Sequence, residues 1–306
     1  MAEITAAMVK DLREKTGVGM MDCKAALAAT NGDMDAAVDW LRAKGLAKAA
    51  KKSTRVAAEG LVGLAVAGTT GAVVEVNSET DFVARNEKFQ AMVAEIAKLA
   101  VGAGGDLEKL KTAKFPGSHH AVAEYVAEMV ATIGENMTVR RTSALSVKDG
   151  VIGSYIHNQA APGMGKIGVL VALESTGNKE SLAQFGRMLA MHVAASNPIA
   201  MDISGVPAET IAREKAILEE KNAGKPANVL EKIVASGLKT YAKENTLLEQ
   251  AYVHDGAKTV TQAIGEAAKA AGADVKLTGF VRMQLGEGIE KAADDFAAEV
   301  AKMSGN

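Results

Sequence analysis

Side chains able to act as acids, bases or metal ligands are sparse in this chain and do not converge in sequence. His119 and His120 follow Pro116-Gly117-Ser118, which reads as a solvated helix start, since zinc needs further ligands at fixed spacing. His192 falls inside the apolar run Met188–Ala195 and reads as a half-buried histidine satisfied by its neighbours. Asp294-Asp295 read as the solvated face of a terminal helix. Gly286-Glu287-Gly288 lacks the downstream glycine and the strand-to-helix setting of a dinucleotide fingerprint, and the chain has no phosphate-loop lysine motif. Cys23 is the single cysteine, so no internal disulfide forms and a reducing compartment is expected. The expectation is a chain that performs no catalysis and holds no cofactor or metal.

Two denser stretches remain, Leu12–Lys24 and Glu75–Arg85. In the second, Phe82 sits between a strand pattern and a helix pattern. Position alone reads such a ring as core. Its neighbours Ser78, Glu79, Thr80, Asp81, Arg85 and Asn86 are polar, which points instead to an exposed contact.

The elements that must position these stretches follow from periodicity. Up to about Lys52 the chain reads as three short helices. Thr5 caps the first, Gly17-Val18-Gly19 breaks it, Asn31-Gly32 ends the second, and Asp33 caps the third, with Gly45 its expected stop. Lys48–Arg55 reads as a charged linker. Leu61–Val66 and Ala72–Val76 then read as strands around Gly68-Thr69-Thr70-Gly71. Helices are expected over Asn86–Leu99 and Ala121–Ile133, and a strand over Met137–Leu145.

The arrangement then recurs. Gly60-Leu61-Val62-Gly63 is echoed by Gly150-Val151-Ile152-Gly153, Ala72–Val76 by Val169–Leu173, and Phe89–Ala94 by Phe185–Ala190. The specialised loop Asn77–Phe82 has only Ser175-Thr176-Gly177-Asn178 as its counterpart, and Asn158–Lys166 reads as a long loop. Pro207–Glu220 and Ala227–Glu244, joined by Gly224-Lys225-Pro226, read as an antiparallel helical hairpin that projects from the body. A helix near Val260–Ala270, a strand near Val275–Leu285 and an amphipathic helix over Ile289–Met303 complete the chain. The expected fold class is α+β. A three-helix, ubiquitin-associated-like module and linker occupy 1–55, and duplicated halves of an α+β core occupy 56–145 and 146–285. The hairpin is inserted at about 205–245, and a C-terminal helical module covers 286–306.

Composition is consistent with folded units of this kind. The 306 residues are too many for one ordinary core. With 48% hydrophobic but only 4% aromatic residues, cores must be built from aliphatic side chains and 14 methionines. A net charge of −2 lacks the basic excess that phosphate contacts need. Met1–Lys10 shows no signal pattern, and no run of about 18 apolar residues occurs. The expected location is cytoplasmic, with neither membrane nor direct nucleic-acid binding.

Leu12-Arg13-Glu14-Lys15-Thr16-Gly17-Val18-Gly19-Met20-Met21-Asp22-Cys23-Lys24 and Glu75-Val76-Asn77-Ser78-Glu79-Thr80-Asp81-Phe82-Val83-Ala84-Arg85 closely resemble the two signature regions of the elongation factor Ts family. Ile133-Gly134-Glu135-Asn136, His192–Ser196 and Gly286–Glu290 extend the resemblance along the chain. It implies a guanine-nucleotide exchange factor that binds elongation factor Tu in GDP-bound and nucleotide-free states. By position it implies that Thr80, Asp81 and Phe82, with Ile133, Gly134, Glu135 and Asn136, disturb the magnesium and phosphate site of that GTPase. It also implies that Lys10, Leu12, Met20, Met21, Cys23 and Lys24 grip the nucleotide domain, and that His157, His192 and Val253 hold a more distant domain. Self-association and a 2:2 complex stay open, as does the role of the hairpin.

Two readings from other classes stand beside it. A ubiquitin-like-recognition module on a scaffold would bind without hastening nucleotide release. A small-molecule enzyme using a cleft between the halves would carry a perturbed acid or base in a pocket.

Overall fold

The computed structural model describes residues 4–16 and 18–290, so the expected helix beyond Ile289 and the pair Asp294-Asp295 lie outside the described residues, apart from Ile289 and Glu290. Three helices open the chain: α1 (Ala6–Thr16), α2 (Met20–Ala29) and α3 (Met34–Lys52). The Met8 N–H donates to Thr5 Oγ1 at 3.3 Å, and the Ala36 N–H donates to Asp33 Oδ1 at 2.9 Å. These side chains take up donors that a first helical turn leaves unbonded. Leu12, Cys23, Ala26, Leu27, Ala37 and Leu41 form the core between the helices.

Gly45 does not stop α3. The helix continues through it and most of the expected linker to Lys52, because it lies along α7 (Val122–Ile133). A Cβ at Gly45 would stand 3.1 Å from the Ala131 methyl. This glycine permits close helix packing. Only residues 53–58 connect the third helix to the first strand.

The remainder is built from two three-stranded antiparallel units. In the first, β1 (Glu59–Ala67) and β2 (Thr70–Ser78) form a hairpin. There follow α4 (Asp81–Ala84), α5 (Glu87–Ala103), α6 (Leu107–Thr112) and α7, and β3 (Met137–Ser146) returns beside β2. In the second, β4 (Gly150–Ala161) and β5 (Met164–Glu174) form a hairpin and α8 (Lys179–Ser196) crosses it. After α9 (Ala208–Lys221), α10 (Ala227–Asn245), β6 (Ala251–Tyr252), β7 (Asp255–Thr259) and α11 (Val260–Ala271), β8 (Lys276–Gln284) returns beside β5. β1 meets the start of β5 through Val62↔Gly165 and Gly63↔Met164, joining the units into one sheet.

Strand alternation sorts the cores. Ala72, Val74 and Val76 of β2 face α5, while Val73 faces the other unit. Val169, Val171 and Leu173 of β5 face α8, while Leu170 and Ala172 pack in the layer between the units. This period of two is what the pleat imposes. Each unit therefore has one face under its helices and one face against its neighbour.

Both units carry a bulge. Glu75 pairs with Arg141 and Val76 with Val139, which leaves Arg140 as the extra residue. Ala172 pairs with Gly279 and Leu173 with Leu277, which leaves Thr278 extra. A bulge breaks the alternation of faces, so adjacent side chains point the same way.

Two further expectations need correction. Asn158–Lys166 is mostly strand, with β4 reaching Ala161 and β5 starting at Met164 around a tight turn at Pro162-Gly163. Ladder hydrogen bonds across the pair extend the hairpin despite the Pro-Gly signal. The helical echo also slips: Met92 is buried, whereas Met188 is exposed. α8 instead buries Leu182, Gly186, Leu189, Ala190 and Val193. The close approach of Gly153 to Gly186, where a Cβ would meet backbone at 2.4 Å, fixes that face.

In the hairpin of α9 and α10, only Val234 and Ala242 are buried. Among the described residues no helix is long and apolar enough to cross a membrane.

Candidate functional site

The first unit ends its hairpin in an anion buried where the two units meet. Glu75 is fully buried and accepts from Asn77 Nδ2 at 3.0 Å, from Arg140 Nη1 at 3.1 Å and from the Gly286 N–H at 2.8 Å. Arg141 Nε donates to its second oxygen at 2.5 Å. The bulge explains how two consecutive arginines address one carboxylate. Burial alone would raise the Glu75 pKa, but donation from Gly286, Asn77 and Arg141 outweighs it and holds the group below its ordinary value. Arg141 also reaches Glu287 at 3.2 Å and the Gln284 carbonyl at 2.7 Å. The turn Gly286-Glu287-Gly288, which follows β8, is thereby tied to the first unit.

Beyond this hub the chain leaves the sheet. Ser78 Oγ donates to the Thr80 carbonyl at 2.9 Å. The Thr80 N–H and Oγ1 donate to Glu135 at 3.0 and 2.8 Å. In the opposite direction the Asn136 N–H donates to Glu79 Oε1 at 2.5 Å. Two loops, 78–82 and 133–136, thus exchange carboxylates. Gly134, at φ +95°, ends α7 in the left-handed conformation that lets the second loop turn back.

The connector joins the same knot. Asn136 Nδ2 donates to the Arg55 carbonyl at 2.7 Å, Arg55 reaches Glu79 at 3.5 Å, and Lys52 Nζ donates to the Gly134 carbonyl.

On this support stands α4. Its Val83 and Ala84 point into the core of the first unit. Phe82 points outward and is 75% exposed. Asp81 pairs with Arg85 at 3.0 Å at the surface. An aromatic ring left in water next to two buried neighbours is not there for the core.

The other residues singled out by sequence divide by exposure. Met20, Met21, Lys10 and Lys24 lie open on the helical module. Leu12 and Cys23 do not. Both are fully buried among α1, α2 and α3, so they hold the module together and present nothing to a partner. In the second unit His157 is exposed on β4, beside the Tyr155 hydroxyl at 3.2 Å. Val253 is exposed on the β6–β7 turn. His192 is fully buried rather than half-buried, with Nε2 3.0 Å from Gln250 Oε1 and Nδ1 accepting from the Val253 N–H at 3.2 Å. Burial lowers its pKa. It props the Val253 turn from below and has no surface of its own to offer.

Sequence reasoning missed the hub of Glu75, Arg140, Arg141 and Glu287. The signal was present in a glutamate at an inward strand position among valines and in paired arginines within a strand. The groups with shifted acidity are held by partners inside the protein or lie in no enclosed pocket, and among the described residues no three metal-ligating side chains converge. The surface hollow beside Tyr252 holds His254, Asp255, Lys258 and Glu266, where Lys258 pairs with both carboxylates.

Residues 79–287 match the family model described as elongation factor TS. Elongation factor Ts of Methylobacterium radiotolerans is 63% identical over 306 residues, covering all of this chain and 99% of that protein. Elongation factor Ts of Xanthobacter autotrophicus is 62% identical over 305 residues, and that of Azorhizobium caulinodans 60% over 305 residues. Matches of this length and identity leave one assignment, and the chain belongs to the elongation factor Ts family.

Proposed function

We propose that this chain is a cytoplasmic translation factor that binds elongation factor Tu and speeds its exchange of GDP for GTP without catalysing a reaction itself. The observation that carries this reading is Phe82, an exposed aromatic on α4 whose preceding residues are tied to 135–136 through the Thr80 N–H and the Glu79 carboxylate. A ring so placed serves as a wedge for the magnesium site of the partner. Mg²⁺ neutralises phosphate oxygens and tolerates little distortion of its octahedral shell, so disturbing it weakens nucleotide binding. Asp81 acts beside the ring, and Ile133 and Gly134 line the same contact, whereas Asn136 is buried with its side chain bonded to the Arg55 carbonyl and supports the loop from within.

Exchange then follows from linkage. If the factor weakens nucleotide binding, nucleotide weakens binding of the factor equally, and the abundant nucleotide displaces it. Met20, Met21, Lys10 and Lys24 supply a second contact from a ubiquitin-associated-like module over 1–55. His157 and Val253 supply a third from the second unit. The two units are read as duplicated halves, 56–145 and 146–285. Their shared order of hairpin, helix and returning strand supports this, as do equivalent glycines: a Cβ would meet the Val76 carbonyl oxygen at Gly60 and the Leu173 carbonyl oxygen at Gly150.

The test is direct. Elongation factor Tu loaded with fluorescent GDP is mixed with excess unlabelled GDP, with and without this chain. Release should accelerate in proportion to added factor until saturation, and Phe82→Ala should abolish most of the acceleration. A wild-type chain that binds the GTPase but leaves release unchanged overturns the reading in favour of a binding module.

A further inference from the structure

The exposed ring of Phe82 raises a mechanical problem. Its helix, α4, has four residues, Asp81–Ala84, too few to be stable by itself because the first helical turn fixes many dihedrals for one bond. The Thr80 side chain makes no cap bond to the helix. Something else must set the direction in which the ring points.

We propose that Glu79 and Glu135 are positioning residues, and that their crossed carboxylates hold the Phe82 loop in its working geometry and lock it to the amino-terminal module. This rests on the reading of Phe82 as the wedge and reassigns Glu135, which the family resemblance counts among the partner contacts. Both Glu135 oxygens already accept, one from the Thr80 N–H and one from the Thr80 hydroxyl. Glu79 accepts from the Asn136 N–H and from Arg55. Each carboxylate therefore reaches from one loop to the other, so neither loop can shift alone. Asn136, itself buried, carries the connection to the Arg55 carbonyl. Lys52, the last residue of α3, is bonded to the Gly134 carbonyl. The path from the module to Phe82 thus runs through hydrogen bonds at every step. A geometry fixed before contact spares the ordering entropy that a loose loop loses on binding.

A hydrogen-bonding role and a charge role differ in what replaces the carboxylate. In Glu135→Gln the amide oxygen can accept from the Thr80 N–H while its NH₂ donates to Thr80 Oγ1. Both bonds survive and the charge is gone. In Glu135→Ala both bonds are lost. The experiment measures GDP release from elongation factor Tu at saturating factor, the affinity of each variant for the nucleotide-free GTPase, and its melting temperature.

Glu135→Ala should slow saturated release on the order of tenfold, the weight of one to two hydrogen bonds missing from the inserted geometry. Glu135→Gln should stay within about twofold of wild type. Thr80→Val, which removes only the hydroxyl, should fall between them, and combining it with Glu135→Ala should add little. If Glu135→Gln is as slow as Glu135→Ala, the charge itself acts on the partner and the proposal is wrong. It is equally wrong if Glu135→Ala releases nucleotide at the wild-type rate. Should Glu135→Ala fail to fold, Thr80→Val and Glu135→Gln still decide the matter, because a normal rate for Thr80→Val with a slow Glu135→Gln contradicts it. A wild-type chain that speeds nothing would sink the exchange reading instead, which keeps the two failures distinguishable.

Discussion

Two bulges stand at matching places in the two units, and they are filled in opposite ways. In the first, Glu75, Arg140 and Arg141 converge at the layer between the units. In the second, the corresponding positions hold Ala172, Thr278 and Gly279, and Ala172 packs in the apolar layer. The strand-to-helix junctions above them differ in the same sense. Residues 79–86 separate β2 from α5, whereas only residues 175–178 separate β5 from α8. The shorter junction closes on itself through the Gly177 N–H donating to Ser175 Oγ, and its Asn178 both caps α8 and donates its N–H to the Ala271 carbonyl. The lesson is that one frame can be kept while one end is committed to holding an outward loop. A buried ion cluster is a weak source of net stability but a strong constraint on geometry once it is made.

Exchanging the two bulges is the harshest way to break this comparison. Glu75→Ala strands two arginines beside the inter-unit layer and should destabilise by about 3 kcal/mol, the lower end for a broken buried pair because both arginines retain some access to water. Ala172→Glu places a carboxylate in the apolar bulge without an arginine and should cost about as much. Urea unfolding of both variants checks this. Equal and negligible effects would mean that the two bulges are interchangeable.

Acidification should separate the units next. His192 of the second unit has its pKa lowered by burial from 6.5, so it stays neutral when folded while the unfolded chain takes a proton. Its contribution is complete above about pH 6.5 and is lost as pH falls through the depressed folded value. Glu75 of the first unit is lowered from 4.5, so its contribution is complete above that value and is lost only as pH falls below it. Between pH 6.5 and 4.5 the second unit should therefore weaken first. Amide hydrogen exchange would show α8 opening before β2, and the reverse order would contradict the assignment.

The smallest expected effect on stability sharpens the contrast within the first unit. Phe82→Ala should change unfolding free energy by less than about 0.5 kcal/mol, as exposed substitutions do. Phe89→Ala, at a fully buried ring, should cost about 3–5 kcal/mol. A melting point for the Phe82 variant near that of the Phe89 variant would return the ring to the core.

Where the sequence could be read, local bonding decided the outcome. Thr5 and Asp33 act as caps where their residue types predict, since each needs only a backbone donor three residues ahead. Phe82 was legible as exposed from its polar neighbours. Gly45 was not legible, because a helix-ending glycine and a helix-packing glycine are the same residue until α7 is beside it. Leu12 and Cys23 lie inside a signature stretch whose motif does not separate inward from outward positions. The short α6, capped by Asp106, is too brief for a periodic signal. The glutamates that cross between 79–80 and 135–136 are more than fifty residues apart in sequence, and no local pattern encodes that meeting.

The unbroken run of α3 to Lys52, braced along α7, has a further consequence for encounter. A flexible tether would let the module and the Phe82 loop make contacts separately, with the second contact diluted over the volume the tether sweeps. A braced helix leaves only residues 53–58 between the two, and even these are pinned through Arg55. For a partner that engages both, the second contact forms at a local concentration set by geometry, and it is high only if the spacing of the two sites matches this strut. The strut then acts as a ruler, admitting partners by the distance between their sites as well as by the chemistry of each.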